Sequence, residues 1–368
     1  MPEKRNKASF FNLPVIIASA VFAVSAVIYA VSRCSNGFAE FWARYPSQWI
    51  RATLAIITNL IPFSLAEFIL LSMPILAAAY IIASNRAISR CDDNSAFLRW
   101  LRPLVMIILI LGSLFTAGFG PCYFRRGLAD NIGLTEEAVT ADDLASTAKK
   151  ISAQIREIDG IVYDADGASV NLTPYSDLIT EMNSAYRRYC LENEYISTFY
   201  SVPKQISLSP VMTYTHISGV YSFFTGESNI NWNYPDFILP FTVAHEMAHQ
   251  RGIAREDEAN FVAYLVCMNS ENEYIRYSAL TNMLQYTLSA LYEADNDAYF
   301  ELLRSEISGE IRGEFTAYAK FFEPYSSSVA SDIVDSVNNG YLSSQGQSEG
   351  TASYGLVVDL VVAYYKTR

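Results

Sequence analysis

Three residues, His245, Glu246 and His249, carry the chemistry most legible in this chain. They spell H-E-x-x-H. Positions four apart share one face of a helix, so both imidazoles can bind a single zinc ion, while the glutamate between them stays beside the metal as a base toward water. The chain has only three histidines, and the motif takes two of them; the third is His216. Val243, Ala244, Met247 and Ala248 fill the positions that turn inward, so the motif predicts a half-buried helix rather than a surface coincidence. Gly252, three residues after His249, predicts that this helix ends in a left-handed turn. Beyond it, Glu256-Asp257-Glu258-Ala259-Asn260 restarts helical periodicity through Phe261, Tyr264 and Leu265. Glu256 and Asn260 then share a face, so one can ligate the metal while the other steadies a ligand histidine.

The stretch H-E-M-A-H-Q-R-G-I-A-R-E-D-E-A-N-F resembles the active-site segment of a poorly characterised bacterial family of membrane-anchored zincin-like proteins, grouped with the gluzincin-type metallopeptidases. The resemblance extends to Gly226-Glu227-Ser228-Asn229-Ile230-Asn231, to Arg276-Tyr277-Ser278, and to Tyr341-Leu342-x-x-Gln345-Gly346 with Ser353-Tyr354. It covers most of residues 120 to 368. It implies that Glu256 is the third zinc ligand, with Asn260 behind the ligands. Because the segment follows His249 unusually closely for that clan, Glu258 stands as the alternative ligand. It also implies a zinc endopeptidase in which Glu246 is the base and one further donor steadies the oxyanion. Tyr277, on the following helix, is the candidate donor, and an ordinary core tyrosine is the competing reading.

Several elements must hold these residues. Residues 205 to 233 are rich in Ser, Thr, Val, Ile, Tyr and Phe and read as short strands and turns. In zincins such a segment supplies an edge strand for an extended peptide, and Gly226 to Asn231 is the candidate for that strand or the turn before it. His216 lies just upstream, either as a stabiliser of the tetrahedral intermediate or as a structural histidine. Thr140-x-x-Asp143 reads as a capping box opening one scaffold helix, and Thr173-Pro174 opens a second through Leu178, Met182 and Tyr186. Residues 274 to 294, 297 to 322 and 354 to 365 read as further helices, the last an amphipathic closing element. The expected fold is α+β and mainly helical.

Charge is unevenly shared. Residues 1 to 124 hold 10 Lys+Arg against 5 Asp+Glu, whereas residues 125 to 368 hold 16 against 33. A domain this acidic excludes nucleic acid as a partner, since phosphates would be repelled. Three apolar runs, at about 10–31, 63–83 and 103–123, are long enough to cross a bilayer. Residues 33 to 51 between them read as an aromatic interfacial loop and Ala52 to Ile61 as interfacial or re-entrant. Glu67, beside the second run, is either functional or a snorkelling side chain. Lys4, Arg5, Lys7, Arg86, Arg90, Arg99 and Arg102 flank the runs on one side, against Arg33, Arg44 and Arg51 on the other. By the positive-inside rule, the N-terminus is cytoplasmic. The expectation is a multi-pass anchor over residues 1–124 in the cell membrane and an extracytoplasmic catalytic domain over 125–368, with membrane lipid and a peptide or protein substrate as partners.

Five scattered cysteines without C-x-x-C spacing argue against both a disulfide framework and a cysteine zinc site, although Cys190 and Cys267 could pair. Two rival readings remain: a non-catalytic binding or sensor module on a zincin scaffold, and a membrane assembly protein with structural zinc. An intact Glu246 argues against the first, because holding zinc does not require that carboxylate. Structural sites close all four positions with protein ligands, which would need Glu258 as well.

Overall fold

A computed structural model describes residues 12–90, 95–135, 137–326, 336, 345 and 354–367. The basic N-terminal residues, Cys91, and the Tyr341-Leu342, Gly346 and Ser353 parts of the resemblance lie outside the described residues.

Among the described residues, three helices are long and apolar enough to cross a membrane. The first, α1 (Leu13–Cys34), starts where Asn12 caps the amide of Val15 and Pro14 occupies the first turn. Two shorter helices follow in place of the expected interfacial loop, α2 (Asn36–Arg44) and α3 (Pro46–Asn59). Their sequence explains the correction. Ala39, Glu40, Ala43, Ser47, Arg51, Ala52, Ala55 and Thr58 recur at helical spacing and are buried, while Phe41, Tyr45, Trp49, Ile56 and Ile57 are exposed on the other face. The second long helix is α4 (Leu65–Ile88), with Ser64 as its cap. The third, α5 (Ser95–Ser113), begins eight residues before the apolar run, taking Arg99 and Arg102 into its first turns. It passes into a π-helical turn (Leu114–Phe119) and a 3-10 turn (Gly120–Phe124). The wide turn frees carbonyls, and side-chain donors take them up: Trp42 Nε1 bonds Ala117 O at 2.8 Å and Ser47 Oγ bonds Gly118 O at 2.6 Å.

The rest of the chain is mainly helical. After α6 (Leu128–Ile132), α7 (Ala141–Arg156) opens with the expected capping box. A hairpin of β1 (Val162–Tyr163) and β2 (Ser169–Val170) leads to α8 (Tyr175–Glu192), where Pro174 stands at the cap, one residue before its expected place. A three-stranded sheet comprises β3 (Lys204–Gln205), β4 (Gly219–Ser222) and β5 (Glu227–Ile230), with α9 (Ser209–Met212) between the first two. Its order is β3-β5-β4, parallel on one side of β5 and antiparallel on the other. The helices α10 (Leu239–Gln250), α11 (Glu256–Met268) and α12 (Glu273–Ala294) form the centre of the core. The run expected from 297 to 322 is broken into α13 (Asn296–Ser305) and α14 (Gly309–Phe322), the second capped by Ser308. The closing helix (Tyr354–Lys366) buries Val357, Val358, Leu360, Val361 and Val362 against this core.

The packing crosses the boundary expected at residue 124. Arg125, buried at 4% exposure, makes a two-pronged ion pair with Glu40 of α2, at 3.0 and 2.9 Å. Glu227 of β5 accepts from the amides of Leu65 and Ala66, at 3.0 and 2.9 Å, and so caps α4. Glu67 neither snorkels nor points into a span: its carboxylate accepts the amides of Ser207 and Leu208, at 2.9 and 2.8 Å.

Candidate metal centre

The end of α10 decides where its histidines stand. Gly252 adopts φ +89°, which a residue with a Cβ rarely tolerates. Gly252 N–H then bonds His249 O at 2.9 Å, and Ile253 N–H reaches back to Ala248 O at 3.1 Å, the paired bonds of a Schellman turn. The turn brings the carbonyl of Ile253 to within 2.7 Å of His249 Nδ1. A carbonyl only accepts, so Nδ1 carries a hydrogen, and Nε2, facing Glu256, is the nitrogen left to ligate a metal once it gives up its own proton.

Three residues after the turn, α11 begins at Glu256 and carries its carboxylate back over α10. Glu256 Oε2 lies 3.3 Å from His245 Nε2 and 3.5 Å from His249 Nε2. All three donor atoms fall within 4.8 Å of one another. A tetrahedral ion with bonds of ~2.1 Å separates its ligand atoms by roughly 3.4 Å, so the spacing and the donor set fit zinc. The imidazoles stand perpendicular, with ring centres 4.6 Å apart, and Phe119 from the π-helical turn meets His249 edge-on. Electrostatics agree with this grouping. Burial disfavours a charged His249, but Glu256 outweighs it and pushes the pKa up to about 9. Burial also opposes ionisation of Glu256, yet the two imidazoles hold it well below the ordinary carboxylate range.

Glu246 sits beside this cluster, 3% exposed, with Oε2 lacking any hydrogen-bond partner. Burial pushes its pKa up in spite of the neighbouring histidines. Gly219 of β4 packs directly on it: a Cβ at that position would come within 2.7 Å of both Cγ and Oε1. Behind the helix, Ser228 Oγ bonds Glu246 O at 3.0 Å and Gln250 Nε2 bonds Gly226 O at 2.7 Å, locking β5 to α10.

The other residues singled out by sequence lie elsewhere or act otherwise. Glu258 turns away from the histidines and accepts from Leu128 N–H at 2.8 Å and from Arg255 Nη1 at 2.7 Å. Asn260 is buried, but its Nδ2 and His245 Nδ1 both lack partners, so the support expected from Asn260 is not made. Tyr277 is a core tyrosine: fully buried, it donates to Glu314 Oε2 at 2.8 Å and receives a bond from Tyr163, which leaves no hydroxyl hydrogen for an oxyanion. His216 adopts φ 56°, and its Nε2 meets Tyr325 O at 2.9 Å, a structural role at the end of a turn. Gly226 to Asn231 form a turn and the central strand; the edge strand beside Glu246 is β4, because the chain enters the sheet at β3 and returns through a tight hairpin. Cys190 and Cys267 are free thiols.

Sequence reasoning passed over Gly219 and counted Arg51 only among the charges flanking the apolar runs. Arg51 of α3 is 1% exposed and donates from Nε to Gln250 O at 3.1 Å and from Nη2 to Arg251 O at 3.3 Å, fastening the end of α10. Its signal was a lone cation opening an apolar run with helical periodicity. Gly219 offered less, a glycine within a strand-like stretch, which marks close approach of another group.

No curated protein and no solved structure matches the chain. A family model described as a protein of unknown function (DUF3810) matches residues 42–362, from the end of α2 into the closing helix. With nearly its whole length inside that match, the chain belongs to the DUF3810 family.

Proposed function

We propose that this protein is a membrane-anchored zinc metallopeptidase that cleaves extracytoplasmic, membrane-proximal polypeptides. The observation that carries the reading is the convergence of His245, His249 and Glu256 at ligand spacing, with Glu246 buried beside them. These three residues would hold the ion. Zinc, when bound there, supplies Lewis acidity toward a water and a peptide carbonyl.

The chain's own residues supply the rest. Glu246 takes a proton from water as the water oxygen bonds to the scissile carbonyl carbon. It returns that proton to the amide nitrogen as the C–N bond breaks, so it begins and ends the cycle ionised. Burial raises its proton affinity toward what a base working near neutrality requires. The Ile253 carbonyl keeps His249 in the tautomer that ligates. Gly219 lets β4 approach Glu246, and β4 is an edge strand along which an extended peptide can pair.

Helix direction and charge support an extracytoplasmic site. The C-terminal ends of α1 and α5 and the N-terminal end of α4 adjoin the site-bearing domain, whereas Arg86, Arg99 and Arg102 cluster at the opposite ends. The positive-inside rule puts those arginines in the cytoplasm and the site outside.

The test is Glu246→Gln in the full chain. Glutamine keeps the shape but cannot take the proton, so zinc content should be unchanged while turnover of membrane-proximal peptides falls by roughly 10²- to 10⁴-fold. Equal turnover in wild type and variant, or turnover indifferent to a chelator, refutes the peptidase reading.

A further inference from the structure

Between Lys204 and Glu227 the chain runs 22 residues without an Asp, Glu, Lys or Arg, inside a region of 244 residues that carries 49 of them. This strap includes α9, the following 3-10 turn (Thr213–Thr215) and β4. It is not neutral because it is buried. Leu208, Val211 and Tyr214 are 42%, 62% and 46% exposed.

Its start is stitched to the entrance of α4. Asn59 Oδ1 accepts from Val202 N–H at 2.8 Å, and Lys204 Nζ donates to Ile61 O at 2.7 Å. Glu67, in the first turn of α4, takes the amides of Ser207 and Leu208. The backbone of Leu208 therefore meets the first turn of α4, where the rings of Phe63 and Phe68 are exposed. Helices α2 and α3 likewise expose Phe41, Tyr45 and Trp49, residue types that favour the bilayer interface.

We infer that the strap from Gln205 to Gly226 seats on the bilayer, with Leu208, Val211 and Tyr214 entering the boundary between headgroups and acyl chains. The inference rests on the proposed reading of α1, α4 and α5 as spans. Charge selects this occupant. The acidic domain is repelled by anionic headgroups, so an uncharged apolar face can approach them where the rest cannot. The strap is also continuous with a helix already committed to the membrane. The consequence concerns substrate class: β4, the edge beside Glu246, is the strap's own continuation, so this edge lies at the bilayer surface. It takes polypeptide segments emerging from the membrane rather than distant loops.

Nitroxide labels on single reactive cysteines test this in the full chain, reconstituted in nanodiscs of mixed zwitterionic and anionic phospholipid with Cys34, Cys91 and Cys190 replaced by serine and the buried Cys122 and Cys267 kept. Val211→Cys and Tyr214→Cys are the probes; Ile75→Cys, mid-way along α4 and 73% exposed, and Phe300→Cys on α13 are the membrane and water controls. Collisions with oxygen should exceed those with a polar nickel chelate several-fold at 211 and 214, as at 75, and the reverse should hold at 300. Free access of the nickel chelate to 211 and 214, with 75 still protected, overturns the docking and leaves the spans standing. Exclusion of both reagents at 211 and 214 means protein covers the strap, a second copy included, and overturns it too. Nickel access at 75 removes the spans on which the inference rests.

Discussion

Replacing Gly219 by alanine isolates the placement of Glu246 from every other property of the site. The backbone at Gly219 lies outside the left-handed region, so alanine is conformationally free there and the effect is steric. The added Cβ would stand 2.7 Å from Glu246 Cγ and Oε1 and 2.9 Å from Cδ. Carbon atoms in contact prefer ~3.5–4.0 Å, so the carboxylate or the strand must yield by about 1 Å. Glu246 is 3% exposed and its backbone is held by Ser228, which leaves the carboxylate as the movable partner. A reacting group misplaced by ~1 Å costs on the order of 10²-fold in rate. Overpacking costs about 1–3 kcal/mol of stability, offset in part by the ~0.4–1 kcal/mol that alanine gains through a less flexible unfolded chain. The atoms nearest the added Cβ all belong to Glu246, not to the three side chains proposed to hold zinc. Gly219→Ala should thus retain zinc, by elemental analysis of the purified full chain, while hydrolysis of a quenched fluorescent membrane-proximal peptide falls about 100-fold. Wild-type turnover with zinc intact would refute the argument that β4 aims the base.

Glu256→Ala should lose zinc in the same elemental analysis, whereas Glu258→Ala should keep it and lose about 1–3 kcal/mol of stability in chemical denaturation, because Leu128 N–H and the Arg255 guanidinium lose a buried acceptor. Tyr277→Phe should leave turnover unchanged yet cost about 1–3 kcal/mol, since Glu314 loses its hydroxyl donor; a selective fall in turnover would return Tyr277 to the chemistry. With Cys34, Cys91 and Cys190 replaced by serine, membrane-impermeant thiol labelling of intact cells should mark Phe300→Cys and spare Ser89→Cys, and the opposite pattern would put the site in the cytoplasm.

The helices were legible wherever a cap or a breaker coincided with apolar spacing. Thr140 with Asp143 opens α7 as read, and Gly252 ends α10 as read, because both signals act within one turn of chain. The π-helical turn was not legible, since it is set by Trp42, Ser47 and Arg51 taking carbonyls from over sixty residues away. Helices α2 and α3 were missed for a related reason. Their buried faces are made of Ala, Ser, Thr, Glu and Arg, which look polar until the partners that satisfy them are known. At the site, the spacing of His245 and His249 fixes their common face, and Glu256 is brought to them by the turn at Gly252. Tyr277 shows the limit of such reasoning: helical position names a face, but Glu314, 37 residues on, decides what the hydroxyl does.

Arg51 ties α2 and α3 to the end of α10 that carries His249. Its guanidinium is buried and, among the described residues, makes no ion pair. Instead it bonds Ala43 O at 3.0 Å, Gly118 O at 3.0 Å, and Gln250 O and Arg251 O, together with Ser47 Oγ. Ala43, Gly118 and Gln250 each lie in the last turn of a helix, where unpaired carbonyls carry a partial negative charge of about 0.5 each, so three helix ends together offset one cation. One of those ends is the end of α10. The same turn carries the Ile253 carbonyl that sets the His249 tautomer, and Gly252 is required there twice: for its φ of +89° and because a Cβ would stand 2.5 Å from Arg51 Nη2. A division of the chain at residue 124 would separate the arginine from the carbonyls that solvate it, leaving those carbonyls without donors at the turn on which the histidine depends.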